Sequence, residues 1–249
     1  MSRRVYRHVL ITGGAGGIGE AMARRFLEAG YRVVLVDRRA DALARLRQQH
    51  PALHTEALDI TDTSALQELA HRLGSNADGP DVLINNAGVH RAVPLTAPDY
   101  LLADQLRDID AEIRTNFTAL AQNCALWLPY LQTRSSAAIV NVASVLAFIP
   151  KSSSATYCAS KAAVHQFSQV LAQQLRGTSV RVVTVYPPLI ATGMTAGRGD
   201  RARMTADQFA RRFYRTFARG RQTIRIGEAS WLYWLHRLAP GLAARTIEP

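Results

Sequence analysis

A phenol and an ammonium stand four residues apart in Tyr157-Cys158-Ala159-Ser160-Lys161. On a helix, residues at that spacing share a face. A free tyrosine titrates at about pH 10, and a neighbouring cation favours the phenolate and lowers that value. A phenol tuned in this way can exchange a proton with a secondary alcohol or a carbonyl oxygen. Taken alone, the same spacing also describes many solvated helix faces.

A second cluster lies near the start of the chain. Thr12-Gly13-Gly14-Ala15-Gly16-Gly17-Ile18-Gly19 follows an apolar run and opens a helical pattern. Glycines let a chain turn sharply and let its backbone approach a pyrophosphate, which the helix N-terminus then faces. Asp37 ends the second apolar run, 18 residues past Gly19. A carboxylate there can accept hydrogen bonds from adenosine ribose hydroxyls. It also repels a 2′-phosphate, which favours NAD(H). Arg38 and Arg39 come next and can pair with that phosphate, so NADP(H) is the alternative. The bland reading of loop and acid is a tight turn beside a solvated aspartate.

These groups need elements to hold them. Short apolar runs at 8–12, 32–37, 53–58, 81–85, 137–144, 180–186 and 223–226 read as strands. Several have apolar residues on both faces, as buried parallel strands require. Helical patterns lie between them, near 18–29, 41–49, 63–73, 104–133, 155–176 and 206–219. Strand–helix–strand alternation predicts an α/β fold: one Rossmann-type, doubly wound parallel sheet with helices on both faces. No repeat or linker divides the chain, so residues 1–249 read as one domain with a C-terminal helical extension at about 228–247.

With these motifs in order, the chain resembles the short-chain dehydrogenase/reductase family over most of its length. Thr12-Gly13, Gly17, Ile18 and Gly19 match that family's cofactor loop. Asp59-Ile60 matches its adenine-side pair, and Asn85-Asn86-Ala87-Gly88 its motif after the fourth strand. Asn116 falls at its helix asparagine, and Ser144, 13 residues before Tyr157, at its serine. Pro187, Ile190 and Thr192 fit its nicotinamide loop. The resemblance implies an NAD(P)-dependent oxidoreductase that interconverts a secondary alcohol and a carbonyl. Tyr157 would be the acid/base. Lys161 would lower its pKa and bind the nicotinamide ribose, Ser144 would polarise the substrate oxygen, and Asn116 would support a relay water. Gly13, Gly17, Ile18, Gly19, Asp37, Arg38, Asp59, Ile60, Asn86 and Ala87 would hold the cofactor, with Tyr157, Lys161 and the Pro187–Thr192 loop. Taken singly, Ser144 is also a plausible strand-end cap and Asn116 a helix-interior amide.

Some positions depart from the family pattern. Pro188 stands where a glycine is usual, and Ala143 where a serine is usual. The Pro-Pro pair and the terminal helix are similar to a bacterial subgroup labelled DltE-like.

The remaining features bound the partners. The net charge is +11, almost all of it from arginine, and no run of five basic residues occurs. A basic surface around an enzyme fits better than a nucleic-acid or membrane-surface binder, and intact Ser144, Tyr157 and Lys161 argue against a cofactor-sensing regulator. Two cysteines give no disulfide framework or metal motif, and no export signal core follows Arg4, so the expected location is the cytoplasm. Val145, Leu146 and Phe148 suggest an apolar ketone or secondary alcohol as substrate. Arg198, Arg201 and Arg203, in the loop 194–204, offer a clamp for an anionic one. Ile109, Ile113, Phe117 and Leu120 lie at helical spacing, and the family commonly uses that helix to build a homodimer or homotetramer. Trp231, Trp234, Leu235 and Leu238 form one apolar face of the last helix. Packing at the pocket or a subunit interface ranks first for that face, and a membrane surface second.

Overall fold

The computed structural model describes residues 7–74, 79–91, 95–96, 101–193 and 204–247. Strands β1 (His8–Thr12), β2 (Arg32–Asp37), β3 (Leu53–Ala57), β4 (Val82–Asn85), β5 (Ala137–Val142), β6 (Val180–Tyr186) and β9 (Thr223–Arg225) pair in parallel, in the order β3-β2-β1-β4-β5-β6-β9. Every residue of β4, β5 and β6 is buried. Their unbroken apolar runs follow from helices covering both faces of the sheet.

One face is covered by α1 (Gly17–Glu28), α2 (Ala40–Gln49) and α7 (Ala206–Ala218), where Phe26, Phe209, Phe213 and Phe217 pack on the strands. The other face is covered by α3 (Thr63–Gly74), α5 (Ala119–Gln132) and α6 (Ala155–Gln174), with Leu66, Trp127 and Leu171 in the core. Strand order reverses between β1 and β4. In doubly wound sheets the crevice at the carboxyl ends of such strands is where ligands bind. The doubly wound expectation therefore holds.

The long helix read at 104–133 is interrupted. Helix α4 (Leu102–Ile113) gives way to a π turn at Arg114–Thr118 before α5 begins. Buried Glu112 and Asn116 flank and occupy that turn, and both bond the loop after β4. Apolar periodicity does not register a single widened turn. The strand read at 137–144 stops at Val142, and Ser144 leaves the sheet to cap a short 3₁₀ turn, Val145–Ala147. A two-residue parallel pair, β7 (Ile190–Ala191) with β8 (Met204–Thr205), is additional to the expected strands. Residues 194–203 of the expected substrate loop, with Arg198, Arg201 and Arg203, lie outside the described residues.

The terminal helix sets only part of its expected apolar face against the chain's own body, through Leu235. In α8 (Glu228–Leu238) the inward residues are Ala229 and Leu232, with Tyr233 and His236 half-buried. Tyr233 lies under the Arg225 guanidinium at 3.6 Å, and both Tyr233 and His236 meet Phe148. Trp231, Trp234 and Leu238 point outward at 50%, 60% and 83% exposure. Pro240-Gly241 does more than stop α8. Pro240 is the first residue of α9 (Pro240–Ile247), where its missing N–H has no partner to lose.

Candidate active site

The turn after β1 is fixed by contact with the turn after β4. Gly13 has φ +65, and a Cβ there would sit 2.7 Å from the Ala87 Cα. Asn86 Nδ2 donates to the carbonyls of Thr12 and Gly13, both at 3.1 Å. Thr12 Oγ1 accepts from the Asn86 and Ala87 N–H groups at 3.1 and 3.2 Å. Helix α1 begins at Gly17 without a side-chain cap, so its first N–H groups remain for a ligand. Gly17 admits Thr192, whose Cγ2 would lie 3.0 Å from an added Cβ. Gly19 does not line the cleft. It packs against the Gly13 carbonyl, where a side chain would collide.

A cleft of about 1100 Å³ runs along the carboxyl edge of the sheet. Ile18, Asp37, Arg38, Asp59 and Ile60 line one end. Asp37 is 7% exposed, and both its oxygens are engaged. Oδ2 accepts from the Ala15 N–H at 3.0 Å and Arg39 Nη2 at 3.2 Å. Oδ1 accepts from the Arg39 N–H and Nε, both at 3.1 Å. Burial alone would raise the carboxyl's pKa. The hydrogen bonds and charge of Arg39, with the Ala15 N–H, outweigh burial and hold it below the ordinary value. Asp59 accepts from the Thr61 N–H and hydroxyl at 2.9 and 2.8 Å and lies 3.6 Å from Arg38.

Ser144, Tyr157 and Lys161 meet Pro187 and Ile190 at the other end. Ser144 Oγ accepts from the Leu146 N–H at 3.2 Å. Tyr157 and Lys161 project from α6 on one face, with Lys161 Nζ 5.8 Å from the centre of the Tyr157 ring. Lys161 is 4% exposed and donates to the Val142 carbonyl at 2.9 Å. Burial disfavours its ammonium and brings its pKa down to about 8.

Asn116 is fully buried and does not line the cleft. Its Oδ1 accepts from the Val89 N–H at 2.8 Å, and its Nδ2 donates to the Val89 carbonyl at 2.9 Å and to Ser160 Oγ at 3.1 Å. It works here as a clamp on the loop after β4. Gly88 leaves room between Asn116 Oδ1 and Lys161 Nζ, which would lie 3.1 and 3.6 Å from a Cβ. Asn85 is likewise turned inward. It bonds Asn141 at 2.8 Å and Asn123 at 2.7 Å beneath the sheet edge.

The sequence reading missed His90 and Lys151, and it missed Glu228, Leu232 and Ile247 from α8 and α9, all of which line the cleft. His90 stands two residues past the Asn85–Gly88 motif, and that nearness was its only signal. The uncapped helix start, the glycine-built turn and the paired acids at one end fit a dinucleotide. The residues at the other end fit its nicotinamide and a carbonyl substrate.

Comparison with known proteins agrees with this geometry. Residues 7–203 match the family model described as short chain dehydrogenase. A Bacillus subtilis protein named uncharacterized oxidoreductase DltE is 36% identical over 222 residues, 87% of this chain and 86% of that one. Sulfoacetaldehyde reductase 2 of Chromohalobacter salexigens is 40% identical over 200 residues, 78% of this chain and 77% of its own. A Burkholderia cenocepacia short chain dehydrogenase solved with NADP superposes with TM-score 0.84, covering 97% of each chain at 24% identity. The chain belongs to the short-chain dehydrogenase family and is an NAD(P)-dependent oxidoreductase of alcohols and carbonyl compounds.

Proposed function

We propose that Tyr157 is the acid/base of this oxidoreductase, with Lys161 and Ser144 as its partners. The carrying observation is the placement of all three side chains at one end of a cleft whose other end fits an adenosine. The nicotinamide supplies the hydride chemistry when bound. The Tyr157 phenol gives a proton to the carbonyl oxygen in reduction and takes it back in oxidation. Lys161, held by the Val142 carbonyl, keeps positive charge beside that phenol and favours its ionised form. Ser144 presents its hydroxyl to the same oxygen and polarises it. Asn116 supports the arrangement from behind by fixing Val89.

NAD(H) is the preferred cofactor in this reading, because the Asp37 carboxylate is anionic and faces the adenosine end. NADP(H) is the competing choice, favoured to the extent that Arg38, or Arg39 on leaving Asp37, pairs with a 2′-phosphate. The substrate is a small carbonyl compound with an anionic group. Lys151 lines the substrate end, and the name of the Chromohalobacter relative gives its substrate as sulfoacetaldehyde. Oxidation of reduced cofactor with paired neutral and anionic aldehydes tests this, with both cofactors. Faster turnover of the neutral member of each pair overturns the anion assignment. No turnover of any carbonyl or alcohol overturns the acid/base assignment.

Two further readings concern assembly and place. The chain is at least a dimer, as is common in its family, and static light scattering at micromolar concentrations checks it. Two free cysteines, one of them fully buried, suit the cytoplasm. No helix among the described residues is long and apolar enough to cross a membrane.

A further inference from the structure

His90 is held through both of its chain neighbours and through its ring. Its neighbour Val89 is gripped through both backbone groups by buried Asn116. Its other neighbour, Arg91, donates its N–H to buried Glu112 at 2.6 Å. The imidazole Nε2 shares a 3.0 Å hydrogen bond with Ser154 Oγ. Ser154 is 2% exposed and precedes the first turn of α6, three residues before Tyr157. The imidazole then lies against the Tyr157 ring, with centroids 4.4 Å apart and planes tilted by 37°. Two buried polar residues on the interrupted helix thus fix a loop whose central side chain lands on the acid/base residue.

We propose that His90 is a positioning residue for Tyr157. Its ring fixes the phenol's orientation, and its bond to Ser154 ties that ring to the start of the helix carrying Tyr157. The π turn is the device that makes this work. The widened turn presents both Glu112 and Asn116 to one loop. π turns of this kind recur at functional sites. A ring lying tilted against the phenol restricts its swing, and a misplacement of about 1 Å at a reacting group can cost about a hundredfold in rate. This inference rests on Tyr157 being the acid/base.

The test is a double-mutant cycle on the full-length enzyme. His90→Ala lowers kcat by about ten- to a hundredfold, while NADH affinity by fluorescence stays within about twofold of the wild type. His90→Phe keeps a ring on Tyr157 and recovers most of kcat, which also guards against a folding defect in the alanine variant. In a Tyr157→Phe background, where the ring persists but the proton does not, His90→Ala has little further effect on single-turnover rate. Equal loss in both backgrounds, or wild-type kcat in His90→Ala, overturns the positioning role and leaves Tyr157 as acid/base untouched. Wild-type turnover in Tyr157→Phe alone overturns both.

Discussion

Lys161 Nζ donates to the Val142 carbonyl at 2.9 Å and lies 5.8 Å from the centre of the Tyr157 ring. A buried cation is therefore anchored to the end of β5 and placed beside a phenol on its own helix. The arrangement carries a cost in stability, because 4% exposure leaves the ammonium almost no water.

That cost has a pH signature. The folded-state pKa of Lys161 is about 8, below its ordinary 10.5. Between those values the unfolded chain binds more protons, so stability contributed by this site rises as pH rises through the window and is lowest below it. Lys161→Met removes the titration. Urea denaturation of both proteins at about pH 7 and about pH 10 should show the methionine variant losing about 2–3 kcal/mol of relative stability between the two. A pH-independent difference would contradict the buried-charge assignment. The variant should also be close to inactive.

The cofactor end makes a paired prediction. Asp37→Ala removes the carboxylate and should raise the NADPH-to-NADH ratio of kcat/KM by about tenfold or more, as removal of a like-charge contact does. Arg39→Ala frees both Asp37 oxygens of their guanidinium partner and should move the ratio the other way. Steady-state kinetics of both variants with both cofactors decides it. Wild-type preference for NADPH would show that Arg38 and Arg39 govern the site.

Asn141 is the centre of a buried network, accepting from Asn85 at 2.8 Å and donating to Ser168 Oγ at 2.9 Å. Asn141→Ala leaves polar groups on β4 and α6 without these partners. A loss of about 2–3 kcal/mol in equilibrium denaturation is expected. A loss under about 0.5 kcal/mol, the range of ordinary surface substitutions, would mean that the network relaxes freely.

The terminal helices close the substrate end, where Leu232 packs with Ile149 and Ala243 and lines the cleft with Ile247. Deletion after Gly227 should preserve cofactor affinity, because the glycine turn and Asp37 are set by β1, α1 and β2. It should raise KM for the carbonyl substrate severalfold. Unchanged KM in the truncated chain would remove α8 and α9 from the site.

The parts of this structure legible in the sequence are those with a strong period or a covalent spacing. Buried runs such as Val180–Tyr186 declared their strands, and the four-residue step from Tyr157 to Lys161 placed both on one face. The turn at Arg114–Thr118 was illegible, because one extra residue per turn shifts phase without changing apolar content. The apolar face of α8 was legible only in part: Leu235 packs inward, while Trp231 and Trp234 stay off the chain's own core. Arg225 meets Tyr233 and Phe148 meets His236 on the inward side, and Trp231 and Trp234 stay outside. Lys151 was illegible, and His90 nearly so, because their place at the cleft depends on which loops meet, and no local pattern encodes that.

The acid/base role of Tyr157 is tested most directly by Tyr157→Phe, which keeps the ring against His90 and removes only the titrating oxygen. Consumption of reduced nicotinamide with an accepted carbonyl substrate should fall by about 10²–10⁴-fold while cofactor affinity stays near wild type. Near-normal turnover in this variant would contradict Tyr157 as the proton donor.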